Sequence, residues 1–198
     1  MRTDNTILRT TIPRWRVALL GGAPPVRASL GAAIRRAGGT IAIESAAPAE
    51  ALRRIERARP DIAIIAPEPA WHGGSVLFRF RDEVCCPVVL LAQGPSRRLL
   101  DEAREGGVMA CLIEPARPAQ VASTLDLAVA RFREIRALRQ ALADRKVIER
   151  AKGLVMARMG LTENAAYCRL RRSAMDTQRP LADIARAVLL SEEIAAPS

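Results

Sequence analysis

Short apolar runs alternate with helical segments over residues 16 to about 122, and this alternation restricts the fold more than any other feature of the chain. The run Asp61-Ile-Ala-Ile-Ile-Ala66 is apolar enough to be a strand buried on both faces of a sheet. Helical segments separate the runs, and glycine pairs such as Gly38-Gly39 follow them, as is typical of helix ends. Five strands alternating with helices predict an α/β fold with a doubly wound parallel sheet. The predicted strands are 16–20, 40–45, 61–66, 87–91 and 109–113, and the predicted helices are 25–37, 48–59, 74–83 and 97–105, with another from 118.

Composition places the chain among core-forming proteins without a membrane span. Of its 198 residues, 49% are hydrophobic, yet no apolar run approaches the roughly 20 residues that cross a bilayer. Residues 1–15 are polar and lack the apolar segment of a secretory signal. The four cysteines (Cys85, Cys86, Cys111 and Cys168) show no C-x-x-C spacing, which favours buried, reduced thiols. We therefore expect a cytoplasmic protein.

The region that follows the α/β pattern has the periodicity of one long helix. No glycine or proline interrupts the chain between Pro118 and Gly153, and apolar residues recur at spacings of three and four. A helix approaching forty residues cannot bury this stripe against its own small domain, so we predict a coiled-coil linker over 124–146 and a homodimer. A helix packed back on the α/β domain is the alternative. The stripe consists of Leu125, Ala128, Phe132, Ile135, Leu138 and Leu142.

The last third of the chain predicts a small basic module of short helices. Ten Lys or Arg and five Asp or Glu lie between Asp144 and Leu190, so this segment has a net charge of +5 (ten minus five). That is half of the net charge of +10 of the whole chain. Gly160 ends one helix, Thr162 caps the next, and Pro180 lies at the start of the last. Fewer than fifty residues are too few for an enzyme but sufficient to bind a polyanion such as a nucleic acid.

The strand and helix pattern of residues 14–123 resembles a response-regulator receiver domain of the flavodoxin-like fold. The resemblance implies a phosphorylation site built from acidic residues after the first strand, an aspartate ending the third, a hydroxyl residue after the fourth and a lysine after the fifth. In that site the carboxylates hold Mg²⁺ and the lysine and hydroxyl bind the phosphoryl oxygens.

None of these groups is present at the matching positions of this sequence, which are Gly21, Gly22, Ala66, Ala92 and Glu114. Glu68 lies near Ala66, but a single carboxylate cannot hold a hard cation and also accept a phosphoryl group. The resemblance therefore implies a pseudo-receiver with a degenerate phosphorylation site, no metal and no cofactor. Its input must come from a partner protein or a small ligand.

The basic module over 147–190 closely resembles the ANTAR domain, the RNA-binding output module of certain transcription antiterminators. This resemblance implies a domain of three helices that contacts paired stem-loops of a leader mRNA and prevents a terminator hairpin from forming. The matching residues, in order, are Ala151-Lys152-Gly153, Met156, Gly160, Thr162-Glu163, Ala166-Tyr167, Leu170-Arg171, Ala174-Met175, Leu181, Ile184-Ala185 and Leu189.

Seven residues of this module are candidate RNA contacts. The cations can neutralise loop phosphates, the two alanines would let RNA approach the helix surface, and the tyrosine can stack on an unpaired base. Leu170, Met175 and Ile184 are expected in the core. The candidates are Ala151, Lys152, Arg158, Ala166, Tyr167, Arg171 and Arg172.

A pseudo-receiver, a coiled-coil linker and an ANTAR domain in this order are similar to the antitermination regulators of aliphatic-amidase operons. The resemblance implies control by a cytoplasmic sensor protein with a periplasmic-binding-protein fold. A nitrate- or nitrite-assimilation antiterminator of the same architecture is the alternative within this class.

Two other classes fit less well. A DNA-binding response regulator would need base-reading side chains on its recognition helix, whereas 181–190 is apolar apart from Asp183 and Arg186. An enzyme is disfavoured because His72, the one histidine, has no evident catalytic partner. The glycines Gly21-Gly22 also lack the lysine and further glycines of a phosphate-binding loop.

Overall fold

The computed structural model describes residues 14–67, 77, 80, 86–94 and 96–195. The chain divides into two compact units, Met1–Arg133 and Glu134–Ser198. Within the described ranges, no helix combines the length and the apolar character needed to cross a membrane.

Five strands of the described part of the first unit form one parallel sheet with the order β2-β1-β3-β4-β5. This order and the helices between the strands confirm the predicted doubly wound, receiver-like α/β fold. The strands are β1 (Arg16–Gly21), β2 (Thr40–Ser45), β3 (Ile62–Ala66), β4 (Val88–Ala92) and β5 (Ala110–Ile113). The helices are α1 (Pro24–Arg36), α2 (Pro48–Ala58), α3 (Arg97–Glu105) and α4 (Pro118–Met159).

The helix predicted at 74–83 falls largely outside the described residues. Two of its positions, Leu77 and Phe80, are helical and buried. The predictions that concern Glu68, His72 and Cys85 also fall outside the residues that the structure describes.

Apolar residues cover both faces of the sheet, which explains why its strands read as nearly continuous hydrophobic runs. Neighbouring residues of a strand point to opposite faces. In β1, Val17 and Leu19 therefore belong to one buried cluster and Ala18 and Leu20 to another. The first cluster includes residues of α1 and α4, and the second includes residues of α2 and α3. In the described part of the chain, one face of the sheet is thus covered by α1 and α4, and the other by α2, α3 and the helical residues Leu77 and Phe80.

Helix α4 is 42 residues long and begins at Pro118, as the uninterrupted helical pattern predicts. The start of its apolar stripe packs on the sheet, because Leu125 and Ala128 are fully buried in the first cluster. The alternative of a helix packed back on the α/β domain is correct for this part of α4. Further along, Leu138 and Leu142 are each 61% exposed. An exposed apolar stripe therefore remains on the middle of the helix.

The described part of the second unit consists of the end of α4 with α5 (Glu163–Thr177) and α6 (Leu181–Ala195). Residues from all three helices form one buried apolar cluster, which includes Leu170 and Ile184 as predicted. Met175 was expected in this core, but its side chain is 68% exposed, so that prediction is wrong. It lies one position beyond the buried Ala174, a step of 100° around the helix that turns it away from the core.

The turn between α4 and α5 depends on a backbone conformation that suits glycine. Gly160 has φ +62°, and the N–H of Leu161 donates to the carbonyl of Met156, which closes the end of α4. The hydroxyl of Thr162 then accepts from the N–H of Ala165 and caps α5. The predicted end of the first helix and the predicted cap of the second are confirmed.

Two glycine substitutions in this region should have opposite effects on stability. Gly160→Ala places a side chain on a left-handed residue and should lower the free energy of unfolding of the second unit by about 1 kcal/mol. Gly153 lies in the exposed interior of α4 with open space around an added Cβ. Gly153→Ala should therefore raise the free energy of unfolding of the second unit by about 0.5–1 kcal/mol. Urea unfolding followed by NMR signals of α5 measures both values, and equal shifts of the same sign would contradict this explanation.

Candidate nucleic-acid interface

Helix α5 has one buried and one exposed side, and the exposed side is basic. Its buried residues, Ala166, Leu170 and Ala174, recur every four positions and face the core of the second unit. Arg171 and Arg172 lie on the opposite side and are exposed, together with Met175. Tyr167 lies at the edge between the two sides and is 40% exposed. We call Tyr167, Arg171, Arg172 and Met175 the basic face of α5.

Two residues predicted at the RNA-facing surface are core residues instead. Ala151 and Ala166 are fully buried members of the apolar cluster of the second unit. Small side chains at a helix contact allow the two backbones to approach closely, so these positions shape the packing of the unit. The expectation that they form a contact surface for RNA is wrong.

Lys152 is a bridging residue that is largely covered. Its Nζ lies 2.5 Å from a carboxylate oxygen of Glu149 and 2.7 Å from one of Glu163, and its side chain is 13% exposed. The hydrogen bonds to Glu149 and then to Glu163 raise the pKa of Lys152, and the hydrogen bond from Lys152 lowers the pKa of Glu163. Two of its three donors are therefore engaged within the protein. The pair with Glu163 connects the end of α4 to the first turn of α5.

The Lys152–Glu163 pair makes the stability of the second unit depend on pH. The folded-state pKa of Glu163 lies below its unfolded value of about 4.3. Its contribution is therefore present above that value and disappears as the pH falls through the folded pKa. The folded-state pKa of Lys152 is raised, so its contribution is complete below about 10.4 and is lost as the pH rises through the folded pKa.

We therefore expect Glu163→Gln to lower the urea midpoint of the second unit at neutral pH, and this effect should shrink as the pH falls through the lowered pKa of Glu163, because the native carboxylate is then also protonated. NMR signals of α5 followed through urea titrations at neutral pH and at a pH below that pKa measure this difference. Asp176→Asn, an exposed acid near the other end of the same helix, is the control. An effect of Glu163→Gln that is the same at both pH values would contradict the assigned cause.

Other cations of the second unit are also neutralised by acidic neighbours. Arg158 pairs with Glu192, and Arg186 pairs with both Asp144 and Asp183. Arg169, Arg171 and Arg172 make no ion pair with any residue that the structure describes. The same holds for Arg145, Lys146, Arg150 and Arg179, so the three arginines of α5 belong to a larger set of exposed cations that an external anion can reach.

The five positions of the degenerate phosphorylation site lie together at the carboxyl edge of the sheet. Gly21, at the end of β1, pairs with Ala66 at the end of β3, and Ala92 ends β4. Glu114 follows β5, and its N–H donates to the carbonyl of Ala92. Gly22 has φ +75°, and a Cβ at this position would lie 2.9 Å from the Cβ of Ala66. The five positions that the receiver resemblance predicts therefore come together at one edge of the sheet, where glycine, alanine and one glutamate occupy them.

The cysteines and acidic residues provide no metal site in the described part of the chain, where no three potential ligands of the His, Cys, Asp or Glu type come together. Cys86 is buried, and burial raises the pKa of the half-buried Cys111 thiol. Cys168 lies exposed on α5, so the expectation of a buried thiol is wrong at this position.

Sequence comparisons identify relatives of the whole chain and of its last part. The model of the ANTAR domain family matches residues 136–189, a match that begins inside the segment predicted as linker. The transcriptional regulatory protein PdtaR of Mycobacterium tuberculosis is 32% identical over 197 residues, which cover 96% of each chain. The nitrate regulatory protein of Klebsiella oxytoca is 41% identical over 56 residues, or 28% of this chain and 14% of that protein.

Solved structures with a similar fold are receiver domains. The signal receiver domain of a modulated diguanylate cyclase from Desulfovibrio desulfuricans has a TM-score of 0.54 and 16% identity, over 60% of this chain and 96% of that one. A LuxR-family two-component response regulator from Aurantimonas has a TM-score of 0.52 and 22% identity, over 59% of this chain and 85% of that one. At such identities the likeness establishes the receiver fold alone.

Proposed function

Because the chain belongs to the family of the transcriptional regulatory protein PdtaR and carries an ANTAR domain, we propose that it is an antitermination regulator that binds hairpins of a leader mRNA. The basic face of α5 is the observation that carries this proposal. It combines two arginines that have no ion pair in the described structure with a half-exposed tyrosine. RNA loops are bound by the same combination of phosphate neutralisation and base stacking.

Among the candidate contacts, Tyr167, Arg171 and Arg172 are the primary RNA-binding residues of this proposal. Lys152 and Arg158 contribute to a smaller extent, because each would have to exchange an acidic partner for a phosphate. Ala151 and Ala166 act through the packing of the helices that present the basic face.

Loss of a basic side chain from α5 should weaken RNA binding and its dependence on salt. Arg171→Ala should reduce the slope of log affinity against log salt by about 0.7–0.9 for one lost phosphate contact. Fluorescence anisotropy with a two-hairpin leader RNA measures this slope. The affinity for duplex DNA of equal length, measured in the same way, tests the alternative of a DNA-binding regulator. Arg139→Ala removes the same charge from the exposed middle of α4 and should leave the slope unchanged. Equal slopes for the two variants would contradict the assignment of α5.

Stacking by Tyr167 predicts a different pattern. Tyr167→Phe keeps the aromatic ring and should retain most of the affinity, whereas Tyr167→Leu should weaken binding by about 1–3 kcal/mol. The same anisotropy titration measures both variants. Equal affinities of the Phe and Leu variants would show that Tyr167 has no stacking role.

We further propose that two copies of the chain associate through the exposed stripe on α4. Leu138 and Leu142 are exposed at helical spacing, as the seam of a short coiled coil would be in a single copy. Two associated copies would present two RNA-binding units to a target with two loops. In this proposal residues 14–123 form the pseudo-receiver, 124–146 the linker and 147–190 the RNA-binding domain.

The double variant Leu138→Glu, Leu142→Glu should shift the protein from dimer to monomer, because charges would replace the seam. Sedimentation equilibrium measures the mass directly. Leu100→Glu, at an exposed leucine of α3, is the matched control and should remain dimeric. A dimer that persists in the double variant would show that association uses another surface.

Regulation is proposed to depend on binding to another molecule in the cytoplasm and to require no phosphorylation. Glycine and alanine stand at the positions where a receiver would hold metal and accept phosphate. In one such arrangement, an amide-sensing partner protein would control the chain, as in the amidase-operon system whose regulator is AmiR. A nitrate-responsive regulator is the other, although the similarity to the nitrate regulatory protein covers only 14% of that protein. In both cases the protein acts as a regulator and has no catalytic role.

A further inference from the structure

Two adjoining cavities open at the carboxyl edge of the sheet in the first unit. Their volumes are about 470 Å³ and about 340 Å³. Val26, Leu91, Gln93 and Glu114 line both, so the two cavities adjoin along these residues, and we call them together the hollow. Cavities of 300 to 1,000 Å³ are of the order that bind small organic molecules.

The described walls of this hollow are mainly apolar and include a few polar side chains. Leu30 and Leu91 contribute aliphatic surface, and several prolines and alanines complete it. Ser29, Gln93 and Glu114 supply the side-chain polar groups among the described lining residues. An apolar cavity with a few polar groups is the usual construction of a small-molecule site.

Glu114 is the one formal charge on the described lining. It is half-buried, and its carboxylate forms no ion pair or hydrogen bond with any residue that the structure describes. A carboxylate beside apolar walls loses part of its hydration, and an opposite charge that enters the cavity offsets that loss. The unpaired carboxylate therefore favours a cation as the occupant.

The surroundings disfavour an anion. Helix α1 begins beside the cavity, but Pro24 and Pro25 have no N–H groups, so its first turn has two fewer of the donors that an anion would use. The nearby guanidinium of Arg27 is engaged by the carbonyl of Gly22 and the carboxylate of Glu44. A negatively charged ligand would thus meet the Glu114 carboxylate without a free cation to balance it.

We propose that this hollow binds a small organic cation, in which an ammonium or amidinium group donates to Glu114 and a compact apolar part contacts Val26, Leu30 and Leu91. Gln93 supplies a further polar contact beside the charged end. The cavity occupies the place where receivers carry out phosphoryl chemistry, so such a ligand would reach the same strand ends. This inference does not depend on RNA binding by the second unit.

The proposal is tested with the full chain and three probes of equal length: n-hexylammonium, n-hexanol and n-hexanoate. We expect saturable binding of the ammonium in calorimetric titrations, with NMR shifts concentrated at the amides of the lining residues. The alcohol should bind roughly tenfold more weakly, because it lacks the charge-assisted hydrogen bond, and the carboxylate should not bind measurably. Equal affinity for ammonium and alcohol, or no saturable binding of any probe, would overturn the proposal.

Two variants and a control locate the site. Glu114→Gln should abolish the preference for the ammonium over the alcohol, and Ser29→Trp, at an exposed position on the cavity wall, should block both probes. Asp101→Asn removes a carboxylate from α3 outside the cavity and should bind as the native chain does. A preference that survives in Glu114→Gln would show that the cation binds elsewhere. Hairpin RNA titrated against the same samples reports the second unit independently, so failure of one proposal does not imply failure of the other.

Discussion

Helix α4 supplies buried residues to one of the two apolar clusters on the sheet and to the cluster of the helical unit, so the packing of both units depends on this one helix. Leu125 and Ala128 complete the packing on one face of the sheet, and Ala151 and Val155 begin the core of the helical unit. Neither core could form as observed without its part of the same helix. The middle of α4, between these two buried parts, packs into neither cluster. Leu138 and Leu142 therefore remain exposed, and in the proposed dimer they contact a second copy.

Ion pairing decides which positive charges of the second unit can act on a ligand. A count of basic residues treats all ten cations between Asp144 and Leu190 as equal. In the structure, Lys152, Arg158 and Arg186 are held by acidic neighbours, while the arginines of α5 are not. These paired cations connect helices, and the unpaired ones define the surface. Seven of the ten make no ion pair with any described residue, and three of these seven, Arg169, Arg171 and Arg172, lie together on α5.

The carboxyl edge of the sheet brings together residues that lie far apart in the sequence. Parallel strands bring their carboxyl ends together whichever residues stand there, so the five positions predicted from the receiver resemblance meet at one edge. Small residues at these positions leave space, and Glu114 leaves a negative charge where a receiver would have a positive one. Among the described lining residues, the result is a mainly apolar cavity with one carboxylate, that of Glu114.

The sequence by itself determined the sheet, the long helix and the ends of the short helices, because each depends on local signals: apolar runs, helical periodicity, Gly160 and Thr162. It also identified the ANTAR domain and the missing phosphorylation groups. Only the tertiary structure decided that Ala151 and Ala166 are buried, that Met175 is exposed and that Lys152 is paired. Those outcomes depend on which side of each helix faces its neighbours and on contacts with residues distant in sequence. A local sequence pattern specifies neither the orientation of a helix nor its long-range contacts.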